Sequence, residues 1–190
     1  MTQRPLINIL ILLTGMLASC NHSSTYSRLV KTELAKHKRC DDLFMGIRLG
    51  MTSKEFFSYC WEMNKKGLFT DGTNNTSVLY KIDTGFVHPV FMNFYPGFHE
   101  GRISNFTATF AFEAWAPWNK PLSSDNLLPG VVSMYRQWLP GNDFLTMKDP
   151  HKGTIYVKVD GNRRIIIGRY DDQYVKVDCS DLLIEPELKK

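Results

Sequence analysis

The sequence predicts an α+β fold: an antiparallel sheet with helices packed on one face, in the order helix, three strands, helix, three strands. Three observations lead there. Two stretches, 53–66 and 123–139, repeat apolar residues at helical spacing. The stretch 102–115 alternates apolar and polar residues, as a strand with one buried face does. And 154–179 divides into three β-rich runs at Asp160-Gly161-Asn162 and Asp171-Asp172-Gln173, turns short enough to make neighbours antiparallel.

The first helix opens inside "GIRLGMTSKEFFSYCWEMNKKG", residues 46–67. Thr52 and Glu55 have capping-box spacing, and Met51 and Phe56 that of a hydrophobic staple. Phe56, Cys60 and Met63 follow on one side, Phe57 and Trp61 widen it, and Gly67 fits a C-terminal stop. Strands are expected at "SVLYKI" (77–82), "PVFMNFYP" (89–96) and 102–115. In the last, Phe106, Ala108, Phe110 and Phe112 share one face; Asn105, Thr107, Thr109 and Glu113 share the other. The second helix carries Leu128, Val131, Val132, Tyr135, Trp138 and Leu139. Either Ser123 or Ser124 caps it, or Pro129-Gly130 delays its start to about 129. Of the final strands, Ile155, Val157 and Val159 share a face, as do Val175, Val177 and Cys179. The two halves match in outline but not in residues.

Ahead of residue 41 the character changes. "NHSSTYSRLVKTELAKHKR", 21–39, is polar and reads as a tether, weakly helical from about Tyr26 with Leu29, Val30 and Leu34 on one side. Before it, Leu6–Ser19 runs without a charge after Arg4. That run is too short to cross a bilayer as a helix. It has the cationic start, apolar core and small-residue cut site of a secretory signal. The tetrad Leu17-Ala18-Ser19-Cys20 closely resembles the bacterial lipobox. By that resemblance Cys20 takes a diacylglycerol on sulfur, the chain is cut before it, and the new amine is a further acylation site. A second chain converts marginal membrane binding into stable anchoring. The competing reading is an ordinary signal peptide, or an uncleaved anchor, that ends in Cys. Asn21 stands where an Asp would mark inner-membrane retention, so the resemblance points to the outer membrane, facing the periplasm, without excluding the surface. The expected organisation is a signal peptide over 1–19, an anchor and tether over 20–40, and one domain over 41–185.

Loss of residues 1–19 removes one cation, leaving 22 basic against 19 acidic residues, a net +3. "KHKR" at 36–39 is the only dense basic group, which argues against nucleic acid as a partner and suits a solvated tether near a membrane. With Cys20 lipidated, Cys40, Cys60 and Cys179 remain, enough for one bridge and one spare thiol. Cys60 and Cys179 have the surroundings of small core residues. No metal or cofactor is expected: there is no CxxC or HxxxH, and His88, His99 and His151 are far apart. Nucleophile elbow, Walker loop, dinucleotide fingerprint and HExxH are all missing, and His99-Glu100 lacks the second His. Asp160-Gly161-Asn162 has no calcium ladder after it and reads as a turn. Asp171 and Asp172 are adjacent, so they point differently and make a poor acid/base pair. No enzyme activity is expected.

"GIRLGMTSKEFF", "YCWEMNKKG", "WAPWNK" and "VKVDGNRRI" together resemble uncharacterised lipoproteins of Bacteroidetes over most of 41–183. "LGMTSKE" also resembles the helix start of small envelope modules of the SmpA/OmlA type and of β-lactamase-inhibitor-like modules, which pair helices with an antiparallel sheet. These resemblances bear on the fold; with the lipobox and the missing catalytic motifs, the expected function is that of a non-enzymatic outer-membrane lipoprotein that binds or scaffolds in the periplasm. The alternative is an inhibitor-like or ligand-capturing module for glycans or peptides. Its candidate patch is Trp115 and Trp118, where flat rings bind at low entropic cost. Trp115 continues the polar side of its strand; the opposing expectation is that both Trp close off the core. "NFYPGF", 93–98, reads as a turn with core-covering aromatics.

Overall fold

The computed structural model describes residues 20–72, 76–150 and 153–184. The leader expected over 1–19 lies outside the described residues, as does the side chain of Cys20. Helices α1 (Cys20–Ala35), α2 (Ser53–Lys65) and α3 (Ser124–Trp138) pack on an eight-stranded antiparallel sheet. A hairpin of β1 (Asp42–Phe44) and β2 (Ile47–Arg48) precedes α2. After α2 come β3 (Phe69–Asp71), β4 (Val78–Ile82), β5 (Val90–His99) and β6 (Arg102–Phe112); after α3 come β7 (Leu145–Asp149), β8 (Gly153–Asp160), β9 (Arg163–Arg169) and β10 (Val175–Asp181). The sheet order is β3-β4-β5-β6-β10-β9-β8-β7. Each half is thus a helix followed by a four-stranded meander, and the last strand of each pairs at the centre. The expected α+β fold is present, with one strand more per half: the two edges, β3 and β7.

The α2 cap is as its sequence requires. The Glu55 N–H donates to Thr52 Oγ1 at 3.2 Å, and the Thr52 N–H donates to Glu55 Oε2 at 2.8 Å. Phe56 and Met63 are buried, with Tyr59 and Cys60 half-buried between them. That i, i+3, i+4, i+7 stripe fills the core-facing arc, so Phe57 and Trp61 do not widen it; they stand 53% and 63% exposed. α3 starts at Ser124 and includes Pro129, so the start is not delayed to 129. Proline in the second turn forgoes one N–H bond without ending the helix. β6 ends at Phe112, three residues short of Trp115.

Register assigns the faces. Tyr80, Met92, Phe110 and Val175 form one cross-sheet row, and Phe94, Ala108, Val177 and Ile167 the next. These residues make one core with Phe56 and Met63 of α2, Val131 and Tyr135 of α3, and Phe44 of the hairpin. Phe44 lies within ring contact of Phe94 and of Trp138, so the hairpin wedges between sheet and α3. Val157 and Val159 pair with Ile166 and Arg164, which puts them on the other face. They are nonetheless buried, at 2% and 0% exposure, because α1 lies there. The 21–39 stretch is therefore helical from its start and docked at its end.

A polar cluster does the docking. Glu33 is buried and accepts from the Gly161 N–H at 3.1 Å and from Lys36. Gly161 has φ +54°, and a Cβ there would sit 2.2 Å from the Lys38 carbonyl oxygen. Asn162 Oδ1 accepts from the Cys40 N–H, and its amide donates to Asp41. Beneath, Asp160 accepts from the Asn142 N–H at 2.7 Å and from Arg163 at 3.0 Å, with Lys158 Nζ at 3.6 Å. The Asp160-Gly161-Asn162 turn thus clamps the chain that leads out of α1.

Candidate functional site

Trp115 and Trp118 fare differently. The backbone after β6 turns at Glu113–Asn119, with the Trp115 N–H bonded to the Phe112 carbonyl and the Asn119 N–H to that of Ala116. This folds the Trp115 ring half-buried against the core, while Trp118 stands 84% exposed. Neither expectation covers both residues: one closes the core and the other is free.

Trp115 forms one wall of an open cavity of about 550 Å³, with Asn119, Lys120, Asp125, Asp171 and Gln173 around it. Trp118 is not part of the lining. The acidic residues come from α3 and from the β9–β10 turn, more than forty positions from Asp125 in the chain. No local motif marks that convergence; the sequence shows Asp171 and Asp172 only as turn residues.

The turn is rigidly built. Asp171 Oδ1 accepts from the N–H groups of Gln173 and Tyr174, at 2.8 and 2.7 Å, an Asx-type closure. The Tyr170 N–H donates to the Tyr174 carbonyl at 2.9 Å. Ser124, at the start of α3, donates its hydroxyl to the Asp171 carbonyl and its N–H to that of Asp172. Arg169 pairs with Asp125 at 3.3 Å and with Asp172. The carboxylates therefore hold the turn and α3 together. With Lys120, Asn119 and Gln173 the cavity can hold a polar ligand against an indole face.

Among the described residues, no three His, Cys, Asp or Glu side chains are placed to hold a metal ion. Cys40, Cys60 and Cys179 are all free thiols. Burial pushes Cys60 up to about 11 and Cys179 up to about 12, so both are protonated and unreactive at neutral pH. No helix among the described residues is long and apolar enough to cross a membrane. No protein-family model, curated protein or solved structure matches the chain.

Proposed function

We propose that this chain is a non-enzymatic lipoprotein of the bacterial cell envelope, akin to the Bacteroidetes lipoproteins it resembles. Lipid on Cys20 holds it to the outer membrane, and its domain faces the periplasm as a binding or scaffolding module. The observation that carries this reading is Leu17-Ala18-Ser19-Cys20 at the end of an uncharged run. The engagement of the Trp115-cavity carboxylates with Arg169 and with the turn backbone supports a binding role over a catalytic one. Metabolic labelling with an alkyne fatty acid tests the anchor: Cys20→Ala abolishes label and membrane retention, and persistent label on that variant overturns it. Crosslinking in cells followed by pull-down tests the scaffold role, where a bait-only result counts against it.

The cavity favours a second reading, capture of a small polar ligand. That reading now rests on Trp115, with Trp118 at most an exposed platform outside the cavity lining. Quenching or a blue shift of tryptophan emission on adding glycans or peptides, lost in Trp115→Phe, tests it.

A further inference from the structure

The face of the sheet that α1 shares is only partly covered. α1 reaches β8 and β9, with the Arg164 guanidinium donating to Tyr26 Oη at 3.2 Å. The β5–β6–β10 part of that face stays open. There Asn93 pairs across the ladder with Thr109, and Tyr95 with Thr107. With Tyr170 and Tyr174 from the β9–β10 turn they enclose a trough of about 320 Å³.

We propose that this trough binds a segment of a neutral glycan chain, at a site separate from the Trp115 cavity and independent of the lipid anchor. Among the described residues its lining carries no charged side chain. The nearest charges on β10, Lys176 and Asp178, pair with each other at 3.1 Å. Nothing there attracts a phosphate, a nucleic acid or an acidic chain. A peptide adding as a strand needs a free sheet edge, and β5, β6 and β10 are interior strands. An acyl chain would take the Asn93 amide group and the Thr109 hydroxyl out of water and offer them no hydrogen bond, which is unfavourable. A sugar satisfies both parts of the lining. Its C–H faces lie on tyrosine rings, and its hydroxyls exchange hydrogen bonds with the amide and hydroxyl floor. Thr107 already donates to Asp178 at 2.9 Å, which leaves its oxygen free to accept.

Preorganisation adds to the case. Tyr170 and Tyr174 flank a turn closed by Asp171 and tied to α3 through Ser124, so the backbone that carries both rings is set before a ligand arrives. Tyr95 and Tyr170 remain 40% and 65% exposed, open to stacking. Fixing the backbone of the turn in advance lowers the ordering cost of binding.

The test uses the full chain purified in detergent. Calorimetric titration with short linear oligosaccharides of glucose, mannose, xylose and N-acetylglucosamine should find binding in at least one series. Tyr170→Ala and Thr109→Lys each weaken it by about tenfold or more, the loss expected for an anchoring aromatic or a blocked floor. Tyr170 is exposed and Thr109 half-buried on the open face of the sheet, and unchanged far-UV dichroism confirms the fold. Trp61→Ala, on the outer side of α2, leaves binding as it was. The proposal fails if no series binds, or if binding persists in Thr109→Lys. It also fails if binding is lost in Trp115→Ala but kept in Tyr170→Ala, which would assign the sugar to the other cavity.

Discussion

Asp160 is the anion on which the buried charge of the β8–β9 turn depends. It is 6% exposed, and Lys158 and Arg163 beside it are 1% and 4% exposed. Asp160→Asn preserves the shape, and its amide oxygen can still accept from the Asn142 N–H. What it removes is the only negative charge bonded to Arg163 and facing Lys158 among the described residues. Breaking a buried ion pair from one side costs roughly 3–5 kcal/mol, because the partner stays buried and unbalanced. Here one carboxylate serves two cations, but each keeps a carbonyl acceptor, Leu139 for Lys158 and Asp42 for Arg163. The lower end, about 3 kcal/mol, is therefore expected. Against a total of roughly 5–15 kcal/mol the variant still folds. In urea, at a slope of about 2 kcal/mol/M, its midpoint falls by about 1.5 M, read by tryptophan emission and far-UV dichroism together. Adding Lys158→Met removes one unbalanced cation and should recover part of the loss. A midpoint shift below about 0.5 M in Asp160→Asn would refute the charge-balance account. So would a second loss on adding Lys158→Met.

Gly161→Ala forces a left-handed φ and a clash with the Lys38 carbonyl, so it should cost about 2 kcal/mol or more. The thermal midpoint should then fall by roughly 4–8 °C. Gly153→Ala shares the positive φ but meets nothing within 4 Å, and should fall less in the same melt. At Glu33, burial would raise the carboxyl, but hydrogen bonds from Lys36, the Gly161 N–H and Asn142 outweigh it and hold the pKa below 4.5. A lowered folded pKa means its stabilisation is complete above pH 4.5 and is lost as pH falls through the folded value. Urea midpoints measured from pH 6 downward should therefore drop more in wild type than in Glu33→Gln. Tyr135 is fully buried, and its hydroxyl has no hydrogen-bond partner among the described residues. Tyr135→Phe removes an unsatisfied polar atom from the core, so stability should hold or rise by about 1 kcal/mol in the same denaturation assay.

The fold was legible where burial is one-sided. The α2 cap, the 106–112 alternation and the two hairpin turns each encode an element locally, and each is present. The edge strands were not legible. β3 is three residues, Phe-Thr-Asp, and β7 alternates only between half-buried and exposed, since an edge strand packs against one neighbour. The shared face of Ile155, Val157 and Val159 was readable, but not which side of the sheet it takes. That depends on register with β9 and on α1, whose polar composition hides a buried Glu33. The site was less legible still. The Trp115 cavity joins residues 115–125 to 171–173, and the tyrosine trough joins 93–95 and 107–109 to 170–174. The central β6–β10 pairing and the Ser124 and Arg169 contacts bring these together, all of them between residues far apart in the chain.

The docking of α1 bears on what an anchor at Cys20 would accomplish. Glu33 lies thirteen residues beyond Cys20, about 20 Å along a helix. A flexible chain of that length also has a root-mean-square reach of about 20 Å. Distance from the membrane is therefore not what the helix changes; direction is. With Glu33 held at the β8–β9 turn and Tyr26 at Arg164, the helix runs back over β8 and β9, toward the end of the sheet that carries the β9–β10 turn. A lipid at its N-terminus would draw that end of the sheet toward the membrane, bringing the Trp115 cavity and the tyrosine trough with it. The opposite end, with the buried charge cluster, would point away. On a floppy tether both sites would sample all orientations; on a docked helix they would meet first whatever chains rise from the same membrane.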